Sequence, residues 1–270
     1  AGYRKGAHPD LPDFDQLWPA NAHVIGKDIL VPAHAIYWPC MLRAMGFRDE
    51  QMPSLLVHGW WNIRKRGTGT GEDAHTEEKM SKSLGNVVDP DHLVDQFGTD
   101  AVRYYLGRDI VTGKDSAFDV NRLITLFNSE LANDLGNLLN RSLNMTKRFV
   151  GGEISPGTYD DEACSQVRTF LSSVTDTYHA AMENHDLAGA LKALNDHVVH
   201  CNQFIERNPP FELRKDESQS DRVAAILYHL CESCAHLAVL LSPFLPDASA
   251  KILGQLRAEE VTPGNLDELR

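Results

Sequence analysis

Two lysines three positions apart are the residues of this chain whose type and spacing most clearly suggest chemistry. Lys79 and Lys82 lie among the hydroxyl residues Ser81 and Ser83, and Gly85 follows shortly after them. Ammonium groups on a mobile loop can reach a polyphosphate and offset the charge that develops on its oxygens during displacement. The same composition also occurs in solvated loops that bind nothing. The residues therefore suggest attack on a nucleoside triphosphate as one hypothesis and an unliganded loop as the other.

Short apolar runs and helical spacing alternate between about residues 20 and 118. His23–Ile25 and Leu55–His58 indicate short buried strands, and 33–45 between them has helical spacing, so we expect a parallel βαβ crossover. Ligands of such sheets bind at the carboxyl ends of the strands. Gly26 and Asp28 follow the first strand, where glycine admits a nucleotide close to the backbone and a carboxylate can accept its hydrogen bonds. A plain turn is the alternative, since Gly and Asp favour turns.

The second part of the chain has no strand pattern that we consider significant. Apolar periodicity predicts helices over about 121–149, 162–184, 187–206, 220–241 and 248–257, with glycine and proline pairs as breaks. The expected fold class is therefore α/β plus all-α, with one domain over 1–118 and an α-helical domain over 119–270. Residues 64–78, rich in glycine, threonine and charge, are expected to form a mobile surface loop.

Three polar side chains recur at intervals of four in the first of these helices. Asn133, Asn137 and Arg141 drift by about 40° per step in an ideal α-helix and so share an arc of about 80°. Two amides and a guanidinium can bind the edges of unstacked bases, which is how proteins usually recognise RNA. A solvated polar face with no ligand is the alternative.

Several other spacings have structural interpretations. His34 and Trp38 share a helical face, which indicates either a pocket wall or simply core. His229, Cys231, Cys234 and His236 would point in different directions from one helix and could not converge on a tetrahedral ion, so we predict core packing and no metal site.

Composition places general limits on the chain. It carries 26 basic and 38 acidic residues, a formal net charge of −12, which by itself argues against binding a polyanion. The basic residues cluster locally, near Lys79 and along the helix that ends with Lys147 and Arg148, and local field decides where a polyanion binds. Five scattered cysteines, without a secretory leader or a membrane-spanning run, predict a cytoplasmic location and no membrane partner.

The five residues from Lys79 to Ser83 have the sequence KMSKS, and three further sequence motifs precede them. They are His23–Leu30, His34–Pro39 and Val57–Trp61, and their order and spacing resemble those of the methionyl-tRNA synthetase family, which belongs to class I. The similarity extends through almost the whole chain. It implies the C-terminal half of a Rossmann-like class I catalytic domain followed by an α-helical anticodon-binding bundle.

The resemblance also implies residue roles. Lys79 and Lys82 would be catalytic. The remaining roles are ATP binding by Gly26, Asp28, His58, Gly59, Trp61 and Lys82, methionine binding by Ile29, His34 and Trp38, and anticodon binding by Asn133, Asn137, Arg141, Pro210 and Phe211. Two departures from the family pattern stand out: one extra residue lies between Asp28 and His34, and Phe211 replaces a tryptophan.

The implied activity is that of a methionine–tRNA ligase. Such an enzyme uses ATP with Mg²⁺ to activate L-methionine, then transfers it to methionine or initiator tRNA with a CAU anticodon. The second signature motif of class I enzymes, of HIGH type, is absent from the sequence. We therefore expect a C-terminal fragment that has no zinc site and little catalytic activity of its own. The alternatives are a class I synthetase of isoleucine, valine, leucine or cysteine type, and a non-catalytic tRNA-binding module.

Overall fold

The protein is described by a computed structural model that covers residues 14–66, 75–80 and 85–265. The described residues form two compact units. The first unit holds the described residues up to Asn86 together with Thr112–Phe118. The second unit holds Val87–Val111 and the described residues from Asp119 onward.

The first unit contains the expected parallel strand pair. Strand β1 (Ala22–Gly26) pairs in parallel with β2 (Ser54–His58), so that Gly26 lies opposite His58 at the carboxyl end. Ahead of β1 lies the short helix α1 (Phe14–Leu17), and the crossover between the strands contains α2 (Trp38–Ala44). The crossover also contains a 3₁₀ turn over Lys27–Ile29, a π-helical stretch over Leu30–Tyr37 and a second 3₁₀ turn over Asp49–Gln51. A parallel pair needs such a helical connection, and the βαβ prediction is confirmed.

A second sheet corrects the prediction of a surface loop over 64–78. Strands β3 (Trp61–Arg66) and β4 (His75–Lys79) form an antiparallel pair, and β5 (Ser116–Phe118) adds to β3 in parallel. Charged residues dominate β3 and β4, so composition suggested a loop, but backbone pairing in a two-stranded ribbon does not require apolar side chains. Residues 67–74 lie outside the described part of the chain.

The regular elements among the described residues of the second unit are helices. Its helices before residue 150 are α3 (Pro90–Phe97), α4 (Thr99–Asp109), α5 (Val120–Leu126) and α6 (Asn137–Phe149), with a π-helical stretch over Phe127–Gly136 joining the last two. Its later helices are α7 (Glu162–Glu183), α8 (Leu187–Arg207), α9 (Pro210–Leu213), α10 (Ser220–Leu241) and α11 (Pro246–Leu256). The predicted bounds of the five long helical segments are confirmed to within two residues.

Helices α7, α8 and α10 supply most of the core of this unit. Helix α10 is buried almost along its whole length, and Leu227, Leu230 and Leu237 are fully inaccessible. Burying a leucine side chain contributes about 1.5–3 kcal/mol relative to leaving it exposed. Although α10 is long and apolar enough to cross a membrane, 83% of its most apolar window is covered by the rest of the protein. It therefore serves as the central core helix of the bundle.

The two units do not coincide with the expected domain boundary after residue 118. Helices α3 and α4 pack with the helical unit, where Arg103 donates a hydrogen bond to the carbonyl of Pro243. The carboxylate of Asp100, in the first turn of α4, accepts from the amide of Ala248 at 2.7 Å and so caps the first turn of α11. The backbone of Gly98 begins α4 without a side-chain cap.

Candidate nucleotide site and candidate RNA-binding face

Gly26 and His58 lie side by side where the parallel strands end, in the first unit. A Cβ built on Gly26 would approach Oδ1 of Asp28 to 2.6 Å, so the bare glycine leaves room for that carboxylate. Nδ1 of His58 donates to the carbonyl of Gly59 at 2.8 Å, which orients the imidazole ring at the end of β2. The structure thus brings Gly26, Asp28 and His58 together at the edge of the sheet where ligands of such folds bind.

Gly59 is required by close packing of two backbone segments. A Cβ at this position would meet the carbonyl oxygen of Lys114 at 2.2 Å and the amide nitrogen of Asp115 at 2.6 Å. No real Cβ contact is that short, so only glycine fits between β2 and the segment that precedes β5. The constraint fixes the backbone direction of the residues that follow, Trp60 and Trp61.

Trp60 is the centre of a charged cluster that the sequence did not reveal. Nζ of Lys79 lies 4.0 Å from the centroid of the indole, and Nζ of Lys27 lies 4.4 Å from it. Both are within the range of a cation–π contact. Lys27 also forms an ion pair with Asp115 at 2.6 Å, and Asp115 accepts the backbone amide of Trp60 at 2.8 Å. These bonds, led by that from Lys27, lower the pKa of Asp115.

Lys79 is therefore placed against an aromatic side chain, at the end of β4 and beside the predicted nucleotide edge. Lys82 lies outside the described residues. Trp61 pairs with Ser116 along the β3–β5 ladder, and its ring packs edge-on against Phe118 at 5.3 Å. Trp60 and Trp61 thus have different environments, as expected for consecutive residues of an extended chain.

The three residues predicted for methionine lie around the π-helical stretch Leu30–Tyr37. This stretch is interrupted at Val31, whose φ of −116° and ψ of 127° are extended. It begins two residues after Asp28 and covers most of the segment between Asp28 and His34, where the family resemblance implies one extra residue. A π turn holds one more residue than an α turn, so it accommodates an insertion locally.

His34, Trp38 and Ile29 have separate neighbours. Nδ1 of His34 donates to the carbonyl of Ile29 at 2.9 Å, while the side chain of Ile29 is exposed. Trp38 is half-buried, and the aromatic rings nearest to it among the described residues are those of Trp18 and His23. The structure brings His34 and Ile29 together and places Trp38 in an aromatic cluster one helical turn further on.

The second unit presents the three polar residues at intervals of four. Asn133 and Asn137 are exposed and Arg141 is half-buried, whereas Leu138, Ser142 and Thr146 on the other side of α6 are buried. Within the described residues, the side chains of Asn133, Asn137 and Arg141 have no hydrogen-bond partner. Asn133 lies in the π-helical stretch, so its angle to Asn137 differs from that of an ideal α-helix. The polar face nevertheless points outward with its donors and acceptors unused.

The segment that carries Asn133 is braced from two sides. Arg108 makes a bidentate ion pair with Glu130, with hydrogen bonds of 2.9 and 3.0 Å. The hydroxyl of Tyr104 donates to the same carboxylate at 2.7 Å. Burial, together with Glu130, raises the pKa of Tyr104 and keeps its hydroxyl protonated. The amide of Asn202 donates to the carbonyl of Asp134 at 3.1 Å. The candidate face is thus presented by a fixed backbone.

Pro210 and Phe211 begin the short helix α9. Pro210 is buried, whereas Phe211 exposes 53% of its surface and lies 6.2 Å from the ring of Phe149. An exposed aromatic ring with a fixed backbone can serve as a stacking surface for a base. The structure therefore places Phe211 near the end of α6, the helix that carries Asn137 and Arg141.

The buried histidines and cysteines of the bundle pack in the core. His229 bonds to Glu232 and accepts from Arg168, both at 3.1 Å, whereas His236 bonds to the carbonyl of Glu232. Burial raises the pKa of Cys231 and Cys234, so both remain protonated thiols. In the described part of the chain, no three His, Cys, Asp or Glu side chains are arranged to hold a metal ion.

Comparison with known proteins is consistent with both parts of this description. The family model of the tRNA synthetases class I (M) matches residues 3–143. The model of the anticodon binding domain of methionyl tRNA ligase matches residues 155–268. The two matches follow each other along the chain in the order that the sequence suggested.

Individual relatives agree with the family models. The chain is 38% identical to a methionine–tRNA ligase of Clostridium perfringens over 94% of its own length and 37% of that protein. It is 37% identical to the Bacillus subtilis enzyme, over 90% of this chain and 34% of that protein. A crystal structure of Mycobacterium tuberculosis methionyl-tRNA synthetase bound by methionyl-adenylate is similar, with a TM-score of 0.79 and 32% identity, over 93% of this chain and 46% of that one.

The chain thus spans between a third and a half of the relatives that it matches, and it matches them through both the strand-containing unit and the helical unit. We conclude that the chain belongs to the methionyl branch of the class I tRNA synthetases and includes the helical anticodon-binding domain of that family.

Proposed function

We propose that this chain is part of a methionine–tRNA ligase and contributes to two functions of that enzyme. The first unit would contribute to the ATP-dependent activation of methionine to methionyl-adenylate. The second unit would recognise the CAU anticodon of methionine or initiator tRNA. The relatives carry the name methionine–tRNA ligase, and the related crystal structure contains methionyl-adenylate.

The proposal for the nucleotide rests on the carboxyl edge of β1 and β2. Gly26 leaves room for the carboxylate of Asp28 at this edge, and Gly59 allows the backbone of Lys114 and Asp115 to pack beside it. Lys79 and Lys82 would supply positive charge to the phosphates as pyrophosphate leaves, which accelerates the reaction only if they bind the transition state better than the ground state. Mg²⁺ would enter on the phosphates as part of the substrate.

A cytoplasmic location remains part of the proposal. The five cysteines are free, and four of them are buried. Burial raises the pKa of Cys164 and of Cys201 to about 12, which keeps both thiols protonated and unreactive in a reducing compartment.

The observation that carries the proposal for tRNA is the outward polar face of Asn133, Asn137 and Arg141. These three side chains lie in a row, and none of them bonds to another side chain or to the backbone among the described residues. Their donors and acceptors suit the Watson–Crick edges of splayed bases. A preference for one anticodon would then depend on these side chains.

A binding experiment with RNA stem-loops tests this proposal. The chain should bind a stem-loop with a CAU anticodon more tightly than the same stem with a changed triplet. Asn137→Ala and Arg141→Gln should each remove about 1–3 kcal/mol of this discrimination, the usual value of a good base contact. Fluorescence anisotropy of labelled stem-loops measures both affinities.

Asn121→Ala is a matched control, because Asn121 is an exposed asparagine at the start of the same continuous helical segment. It should leave the preference for CAU unchanged. Equal binding of all triplets by the unaltered chain would contradict the proposed anticodon recognition, and loss of preference in the control would show that the helix itself had been disturbed.

A further inference from the structure

A concave surface lies where α6 ends and α9 begins, within the helical unit. It has a volume of about 310 Å³ and is lined by Arg148, Phe149, Phe211, Arg214 and Lys215. Ligand clefts in proteins have volumes of about 300–1,000 Å³, so this surface is large enough for one small group. Three of its five residues are cations and the other two are aromatic.

The three cations have different partners. Arg214 donates to the backbone carbonyl of Phe149 at 2.6 Å, and so satisfies a carbonyl of the last turn of α6. Lys215 forms an ion pair with Glu212 at 2.5 Å. Arg148 is exposed, and no oxygen acceptor for its guanidinium is found among the described residues. Among the described residues, the guanidinium of Arg148 thus keeps all of its hydrogen-bond donors available, whereas Arg214 and Lys215 each use one donor within the protein.

The aromatic rings fix the position of this free guanidinium. Its Cζ lies 5.6 Å from the ring centroid of Phe211 and 6.0 Å from that of Phe149, within cation–π range. A guanidinium beside an aromatic surface keeps its planar fork of donors for an anion, and this fork matches the geometry of a phosphate. The exposed ring of Phe211 offers space for a base next to that anion site.

We propose that Arg148 binds a backbone phosphate of the RNA nucleotide whose base lies on Phe211. The proposal rests on the proposed recognition of an anticodon by the same unit and adds a residue to it. Single-stranded RNA combines a stacking base with a phosphate, and proteins bind it through aromatic surfaces joined to positive charge. An acidic peptide would supply the anion without the planar group that fits the aromatic surface.

The position of Arg148 along α6 supports a continuous RNA path. Arg148 follows Arg141 by seven residues, which in an α-helix is about −20° in angle and about 10.5 Å along the axis. Both residues lie within the regular helix α6. The polar face that begins with Asn133 therefore continues to Arg148, which provides sequence-independent affinity beside the residues that would distinguish bases.

The salt dependence of RNA binding tests this inference. A phosphate contact to a single strand contributes about 0.7 to the slope of log affinity against log salt concentration. Arg148→Gln should therefore reduce the magnitude of that slope by about 0.7 for the CAU stem-loop, and weaken binding roughly threefold to tenfold at low salt. The ratio of affinities for CAU and a changed triplet should stay as it was, because phosphates carry no sequence information.

Lys147→Gln is the matched control, since Lys147 is the exposed neighbour on the same helix, about 100° around it, and its replacement changes the charge equally. It should leave the slope unchanged, and Arg148→Lys should restore most of it because the charge remains. An unaltered slope in Arg148→Gln, or an equal loss in Lys147→Gln, overturns the inference.

The two proposals fail in different ways in this experiment. If the unaltered chain shows no preference for CAU, or binds no RNA, the proposed anticodon recognition fails and the role of Arg148 fails with it. If the preference is present and Arg148→Gln keeps the full slope, only the role of Arg148 is refuted. Thermal unfolding of each variant, followed by helical circular dichroism, confirms that the bundle is intact.

Discussion

Gly59 occupies a position where one added methyl group would collide with the main chain. The added carbon would lie 2.2 Å from the carbonyl oxygen of Lys114, and backbone atoms cannot move aside as a side chain can. We expect Gly59→Ala to destabilise the first unit by about 1–3 kcal/mol, the usual cost of overpacking. All four tryptophans, at positions 18, 38, 60 and 61, belong to this unit, so tryptophan fluorescence during urea unfolding measures its stability.

Two other glycines serve as controls for this prediction. A Cβ on Gly26 would meet only the carboxylate of Asp28, which can rotate away, so Gly26→Ala should cost much less stability. Gly157 belongs to the helical unit and has no atom closer than 3.9 Å to the added carbon, so Gly157→Ala should shift the unfolding transition reported by the tryptophans by less than about 0.5 kcal/mol. A cost at Gly59 no larger than at Gly157 would contradict the packing argument.

The sequence motifs identified individual residues at the carboxyl end of β1 and β2, where we predict nucleotide binding. They did not predict the contacts between those residues. Gly26, Asp28 and His58 were predicted from strand ends and family words, and the structure brings them together. Trp60 and Asp115 were missed because the bond between them joins residues 55 positions apart, and no local pattern marks the aspartate. The role of each residue in catalysis stays a prediction.

At the scale of elements, α8 contains a histidine whose burial makes the bundle sensitive to acid. His197 is fully inaccessible, stacks with Phe170, and has Nε2 3.4 Å from the sulfur of Cys201. Burial, with smaller effects from His200 on the same helix and His236 on α10, lowers its pKa to about 3. The unfolded chain, in which a histidine has a pKa near 6.5, therefore takes up a proton before the folded chain does.

The sign of the pH dependence follows from this difference. The stability that the neutral ring contributes is complete above pH of about 6.5 and is lost progressively as the pH falls toward 3. We expect a lower urea midpoint at pH 5 than at pH 7.5, measured by helical circular dichroism. His197→Leu should show a smaller difference between the two pH values, and the exposed His179→Gln should behave as the unaltered chain does. An equal difference in His197→Leu would contradict this explanation.

The long helices and the parallel pair β1 and β2 were predictable, whereas the three strands of the second sheet were not, for physical reasons. Helices such as α7 and α8 carry an apolar stripe over about twenty residues, which gives many repeats of one signal. Strand β5 has three residues and β3 is largely charged, so neither has enough apolar alternation to be recognised. The π-helical stretches Leu30–Tyr37 and Phe127–Gly136 differ from α-helices in their backbone hydrogen bonding, which the apolar pattern of the sequence does not reveal.

At the scale of the whole molecule, the catalytic activity that we expect is limited because the chain matches only part of the length of its relatives. The chain spans 37% of the length of its Clostridium perfringens relative, and the sequence of the chain contains no HIGH-type motif. We expect the chain alone to catalyse methionine-dependent ATP–pyrophosphate exchange far more slowly than a full-length relative, because part of the phosphate-binding groups and of the methionine pocket would be lacking. Exchange by both proteins under identical conditions measures this, and comparable rates would refute the expectation.

The net charge of −12 is a poor guide to the partners of this molecule. The cations that matter for the proposals lie in two local groups, one around Trp60 and one around Phe211. At an ionic strength of about 0.15 M, charges further away than about 8 Å are largely screened. A polyanion on either surface would therefore experience mainly the nearby lysines and arginines.

The bond between Asp100 and Ala248 spans 148 positions of the sequence. It joins α4, near the start of the helical unit, to α11. During synthesis on a ribosome, this hydrogen bond can therefore form only after the chain has been made as far as Ala248. Until then, the carboxylate of Asp100 in the first turn of α4 lacks this hydrogen bond. Helix α11 is therefore an integral part of the bundle, because its first turn supplies the hydrogen-bond donor for a side chain of α4.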